Sequence, residues 1–276
     1  MKPGIVYGNS LPLIGGFLFA SKWDIDTGLF LSVLIGTGLV MASACVFNNY
    51  IDRGIDRKMK RTVWRALAKG SISGPAALTF GTVLGVLGFG VLLIWTNTLT
   101  AALGAVAFID YIVLYGWTKR HSVHGTLVGT IAGAVPPVAG YCAVTGELDA
   151  NAFIIFMIMV FWQMVHFYAI AIRRMKDYKA AGIPVLPLVK GVAETKVQMI
   201  LYAIGFTFAV IALSTRGTAG YIFSIVMAVL GMVWVYKGLK SFKVSNDVQW
   251  AKHMFKFSLI VLLAFSAMLS VGSILP

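Results

Sequence analysis

Charge is what this 276-residue sequence has least of: only 12% of residues are Asp, Glu, Lys or Arg, against 59% hydrophobic. Soluble domains carry about 25% charged residues, so a mean hydropathy of +0.85 excludes a water-soluble fold. Acids are scarcer still, ten against 23 Lys and Arg. Cysteine is nearly absent. Cys45 and Cys142 both fall in apolar segments, which excludes a disulfide framework or a Cys-based zinc site and leaves them as packing residues. The net charge of +13 would suggest nucleic acid in a soluble protein. Here it has another source, because the basic residues lie between apolar runs.

Runs of about 17–25 apolar residues, long enough to cross a bilayer, fall at 5–20, 28–47, 75–95, 99–117, 126–144, 153–172, 197–214, 220–236 and 257–275. The first ends in Phe19-Ala20-Ser21-Lys22, a poor cleavage site preceded only by Lys2, so it reads as a retained span rather than a signal peptide. Threading the chain back and forth puts every Lys and Arg except Lys22 and Arg216 on one side. By the positive-inside rule that side is cytoplasmic, with the amino terminus inside and the carboxyl terminus outside. The expectation is an all-α polytopic membrane protein: one domain over 1–276, with nine helices around a central cavity. Nucleic acid is not an expected partner; the lipid bilayer is.

Two long basic loops on the expected cytoplasmic side, 48–74 and 173–196, are where function tends to collect. The first opens Asn48-Asn49-Tyr50-Ile51-Asp52-Arg53-Gly54-Ile55-Asp56. Asn48, Asp52 and Asp56 are spaced i, i+4, i+8, which on a helix aligns three oxygen-bearing side chains over roughly 12 Å. Carboxylates so placed, with Arg and Lys after them, suit Mg²⁺ bridging to phosphate oxygens; the plainer alternative is a helix ending in a solvated charged loop. A helical continuation through Arg61, Arg65 and Lys69 would add a basic stripe.

The sixth span carries Trp162-Gln163-Met164-Val165-His166, and Gln and His inside a membrane are costly unless they face a cavity or a partner. If that helix runs on, His166, Arg173 and Asp177 share a face, flanked by Trp162 and Gln163. The following Gly182-Ile183-Pro184-Val185-Leu186-Pro187 reads as an ordered loop able to cover a site at the membrane surface. Lys119 and Arg120 either clamp an anion or merely set topology. Asp110, inside the fourth span, is either a functional acid or half of a polar pair. In the fifth, Gly129 and Gly133 suit close helix packing, and Pro136-Pro137 suits a kink.

These residues resemble the membrane-embedded UbiA-type prenyltransferase superfamily, and within it the branch of haem farnesyltransferases. The matching pieces are KPGIVYGN at 2–9, NNYIDRGIDRKMKRT at 48–62, TKRHS at 118–122, GAVPPVAGYCAVTGE at 133–147 and FWQMVHFYAIAIRRMKDYKAAGIPVLPLVKG at 161–191. Against the superfamily's Asn-Asp-x-x-Asp-x-x-x-Asp motif, Asn49 stands where an Asp is usual; a second Asp-rich motif is reduced to Asp177. Val165 precedes His166 where the haem branch usually has Pro.

The resemblance implies transfer of a farnesyl group from farnesyl diphosphate to a vinyl group of haem b, giving haem O. Haem would be substrate rather than cofactor. Asn48, Asp52 and Asp56 would hold Mg²⁺, with Asp52, Asp56, Asn48 and His166 catalytic. Asn49, Arg61, Arg65, Lys119, Arg120, Trp162, Gln163, Arg173, Arg174 and Asp177 would bind substrate. His166 would ligate the iron, place the vinyl, act on water, or serve only as an interhelical hydrogen bond. A downstream haem-modifying enzyme or terminal oxidase is a candidate recipient of so insoluble a product. Two rival readings remain: a related enzyme acting on a quinone-precursor ring, and a transporter, which the clustering of acids at one interface disfavours.

Overall fold

The computed structural model describes residues 2–276. Among the described residues the regular structure is entirely helical, and nine segments are long and apolar enough to cross a bilayer. They are α1 (Pro3–Ser21), α2 (Thr27–Asp56), α3 (Gly74–Trp95), α4 (Thr98–His121), α5 (Gly125–Thr145), α6 (Ala150–Arg173), α7 (Gly191–Thr215), α8 (Tyr221–Lys243) and α9 (Asp247–Gly272). Large apolar side chains such as Val86, Leu93, Leu201, Phe208 and Leu263 point outward, as lipid requires. The chain is a multi-pass membrane protein.

Polar side chains fix where several spans begin. Asp26, Asn97, Asp149 and Asn246 each accept a hydrogen bond from the backbone N–H three residues on, at 3.0, 2.8, 2.9 and 3.0 Å, satisfying one of the orphan donors of a helix start. The last explains a difference from the apolar runs. The ninth span starts at 247, ten residues before the run at 257, because an amphipathic stretch buries Trp250, Ala251 and Met254 while exposing Lys252 and Lys256.

α2–α5 form one four-helix set and α6–α9 another, each closed by contact of its first helix with its fourth. α1 is wedged between the sets, packing on α5 and α9 and touching α2. α1 and α5 cross closely: a Cβ on Gly140 would lie 2.2 Å from the Leu13 carbonyl oxygen, and one on Gly16 2.0 Å from that of Pro137. Gly140→Ala must therefore push two backbones apart, at about 1–3 kcal/mol. A lower Tm in detergent, with helix content retained, is the expected result.

The two long loops follow α2 and α6, so both lie at the same end of the bundle. α2 has 30 residues and is about 45 Å long, exceeding the roughly 30 Å hydrocarbon layer. Its last turns, beyond the apolar run, carry the Asn48-to-Asp56 motif.

Candidate active site

The final turns of α2 are helical throughout, so Asn48, Asp52 and Asp56 do share a face, and all three are buried. Each is engaged by a cation from elsewhere in the chain. Asp52 pairs with Lys119 Nζ and, at 3.1 Å, with Arg120 Nη2, which also donates to the Ile51 carbonyl at 3.0 Å. Asp56 accepts two bonds from Arg65 Nη1, at 2.9 and 2.8 Å. Lys2 Nζ donates to Asn48 Oδ1 and to the Tyr111 hydroxyl, the latter at 3.1 Å. Asn49 Oδ1, Asn48 Nδ2 and Arg120 Nε are buried without a protein partner. Unpaired buried polar atoms are costly, and their concentration here marks the place as built for something further.

The basic residues reach this point by a turn, not by the helical stripe that their four-residue spacing suggests. α2 stops at Asp56, residues 57–65 form turns, and only Ala66–Lys69 is helical again. Thr62 Oγ1 donates to the Asp56 carbonyl at 3.0 Å and Arg57 Nε to the Ala68 carbonyl at 2.8 Å, folding Arg65 back onto Asp56. Lys69 lies away, over the Trp64 ring.

Beside this cluster lies a cavity of about 420 Å³, in the range of small-molecule sites. Its polar end carries Lys2, Arg61, Arg65 and Lys119 with the phenols of Tyr111, Tyr115 and Tyr178. Its deeper wall is apolar, with Met41, Phe108, Met159, Leu259 and Leu262. Tyr111 and Tyr115 are stacked, with ring centroids 5.6 Å apart, in or next to a π-helical stretch, Asp110–Leu114. Such a bulge re-aims a helix face. Asp110 itself stays behind the wall, its Oδ2 accepting from the Ala132 N–H at 3.2 Å. It does not line the cavity.

α6 supplies the opposite wall through Trp162, Gln163 and His166. Gln163 Nε2 donates to the carbonyls of Thr130 and Met159, both at 3.1 Å. Gly133 makes room for that amide, and Gly129 for the Tyr115 ring. The expected close backbone packing at these glycines is replaced by side-chain pockets. Trp162 stacks on His166 at 4.8 Å.

The shared face of His166, Arg173 and Asp177 does not form. α6 ends at Arg173, Arg174 leaves helical geometry at φ −116°, and a separate helix, Met175–Ala181, carries Asp177. Arg173 lies over the Phe255 ring, Arg174 lies 4.0 Å from Asp177, and none of the three lines the cavity. The chain after Asp177 does cover it: Tyr178 of that short helix and Ile183, Pro184 and Val185 of the loop beyond it line the cavity, and Ile183 and Val185 pack on Met59 of the other long loop.

Outside the spans, two ionisable groups at the mouth are perturbed. Burial lowers the Lys2 ammonium to about 8 and pushes the Tyr178 phenol up. In the sequence Lys2 stands only as a topology charge, and the three tyrosines go unmarked. An aromatic at every fourth position of a span, Tyr111 and Tyr115 ahead of Lys119, is the signal that could have found two of them.

As a metal site, the donors are hard oxygens: two carboxylates and flanking amides. Among the described residues no cluster of three His, Cys, Asp or Glu is present. The set does suit Mg²⁺, which is usually held by one or two carboxylates and completed by substrate phosphates and water. Asn49 Oδ1, a buried acceptor without a donor, fits a cation's hydration shell.

Comparison with known proteins gives this geometry a context. The model of the UbiA prenyltransferase family matches residues 9–260. The protoheme IX farnesyltransferases of Escherichia coli K12 and of Escherichia coli O1:K1 are each 51% identical over 276 residues, covering 100% of this chain and 93% of theirs. Among solved structures, a digeranylgeranylglyceryl phosphate synthase matches with a TM-score of 0.80 at 21% identity, over 96% of this chain and 93% of that one. A UbiA homologue from Archaeoglobus fulgidus bound to DMAPP and Mg²⁺ matches with a TM-score of 0.75 at 14% identity, over 98% and 97%. The structural likenesses concern the fold; with the family match over most of the chain and the full-length identity, they lead to one conclusion: the chain belongs to the UbiA prenyltransferase family.

Proposed function

We propose that this chain is a protoheme IX farnesyltransferase, moving a farnesyl group from farnesyl diphosphate to a vinyl group of haem b and so making haem O. The observation that carries this is the 51% identity, over the full length, to enzymes of that name. The cavity supports it: a cationic mouth for diphosphate opens onto an apolar chamber suited to a hydrocarbon tail and a flat macrocycle.

In the reaction the C1–O bond of farnesyl diphosphate breaks, and its electrons leave with diphosphate. The vinyl's terminal carbon bonds to farnesyl C1, water adds to the adjacent carbon, and the proton that water loses is taken up by the released diphosphate. Asn48, Asp52 and Asp56 would hold Mg²⁺, which when bound would supply neutralisation of the charge on the departing diphosphate. Lys119, Arg120 and Arg65, which pair with these carboxylates, would serve the phosphate oxygens together with Arg61 and Asn49. Cations aimed at developing charge in a water-poor site usually supply the greater part of the rate enhancement in such catalysis. Trp162, Gln163 and His166 form the haem wall. Arg173 and Arg174, outside the cavity, would serve haem's propionate edge, with Asp177 beside Arg174 to orient it. The whole chain acts as one catalytic unit in a bacterial inner membrane, its basic-loop end toward the cytoplasm, and hands product to a haem-modifying enzyme or terminal oxidase.

The purified chain in detergent, given haem b, farnesyl diphosphate and Mg²⁺, should yield a product of haem O mass, and excess EDTA should abolish it. A chain inactive on haem b but active on a quinone-precursor ring would sink the assignment. Lys2 adds a pH test. With its ammonium lowered to about 8 by burial, it is charged at pH 7 and loses its proton as pH rises through 8. KM for farnesyl diphosphate should therefore climb between pH 7 and 9. In Lys2→Arg, whose guanidinium stays charged, the climb should flatten.

A further inference from the structure

The environment of His166 fixes more than its position. Its Nδ1 lies 2.7 Å from the hydroxyl of Ser258 on α9, and that hydroxyl lies 2.7 Å from the Phe255 carbonyl oxygen. Ser258 has one hydrogen. Were it donated to His166, two oxygens, neither carrying a hydrogen for the other, would face each other at 2.7 Å. Only Nδ1–H donating to Oγ, and Oγ–H to the carbonyl, places a proton in each gap. Two aromatic neighbours hold the plane of the ring. Trp162 stacks on it with centroids 4.8 Å apart and Phe255 lies at 4.9 Å. The backbone carbonyl of the same Ser258 holds Trp162 through its Nε1–H at 2.7 Å. One residue thus clamps both.

With the proton on Nδ1, Nε2 carries a lone pair. His166 lines the cavity and stays partly exposed, and among the described residues no donor reaches Nε2. We infer that Ser258 is a positioning residue: it locks the Nδ1–H tautomer of His166 and so presents Nε2 to the cavity as an axial ligand for the acceptor's iron. This rests on haem being the acceptor, as proposed above. An outer partner that accepts the N–H of the far nitrogen is how ligating imidazoles are generally oriented.

The test separates the two parts. The full chain, labelled with ¹⁵N-histidine, should show His166, assigned by its loss in His166→Ala, as the Nδ1–H tautomer by side-chain ¹⁵N shifts. Ser258→Ala should give a mixture containing the Nε2–H form, while Ser258→Thr keeps the wild-type pattern. Both leave the backbone carbonyl that holds Trp162 in place. Titrated with ferric haem b, the wild type and Ser258→Thr should give a histidine-ligated Soret spectrum that His166→Ala lacks. Ser258→Ala should bind about 10–100-fold more weakly. An Nε2–H tautomer in the wild type, or a Ser258→Ala chain matching it in tautomer and in haem affinity, overturns the inference. A wild type that forms no haem O overturns the acceptor's identity instead, whatever the tautomer proves to be.

Discussion

Asp52→Asn and Asp56→Asn are each expected to remove haem O formation by a factor of at least about 10²–10³, the scale of losing one electrostatic stabiliser of developing charge. Neither change alters shape, so the loss measures charge. The two should differ in stability. Asp56 is paired with Arg65, whose side chain is 28% exposed, and an orphaned guanidinium there can turn to water. Asp52 is paired with Lys119, whose side chain is only 10% exposed, as well as with Arg120. Breaking a buried pair from one side costs on the order of 3 kcal/mol, so Asp52→Asn should show the larger drop in Tm. Both should need far more Mg²⁺ for any residual turnover. Full turnover in both chains, measured beside their melting curves, would remove the metal from this place.

The spans were readable because bilayer thickness dictates their length, and the carboxylate motif because i, i+4, i+8 has one meaning on a helix. What escaped were features set by contacts distant in sequence. The seventh span begins at Gly191, before the run at 197, because Lys196 is buried, its Nζ 2.6 Å from Asp247 Oδ1 and 2.8 Å from the Ser241 carbonyl. A Lys in a sequence gives no hint of being neutralised 51 residues later. The break at Arg174 was hidden for the opposite reason: residues 173–181 lack any Gly or Pro to announce it, and the chain turns there so that Ile183 and Val185 can pack on Met59. The same applies to the site. Lys119 and Arg120 were legible as an anion clamp, yet in the resting chain their anion is Asp52. Ser258 was one hydroxyl in an apolar run, and only its distance to His166 gives it a role.

That resting arrangement leads to a prediction with two opposite signs. Lys119 is held by Asp52 and lies 5.0 Å from the centroid of the Tyr115 ring. On the proposed reading, a divalent cation arriving alone would have to take Asp52 away from Lys119, so the lysine would compete with the metal. Once diphosphate arrives with the metal, Lys119 has a second anion to serve and works with it. Lys119→Met keeps the length of the side chain and removes the charge. Binding of Mg²⁺ or Mn²⁺ without diphosphate, followed by calorimetry, should tighten, by about tenfold for ~1.4 kcal/mol of competition removed. At saturating metal and farnesyl diphosphate, kcat should fall by about 10²-fold, because one cation aimed at the leaving group is gone. Lys119→Arg should not fully restore it, since a planar fork does not replace a compact ammonium. Were metal affinity and kcat to fall together, Lys119 would be part of the scaffold that shapes Asp52, and the exchange of partners between acid and diphosphate would have to be abandoned.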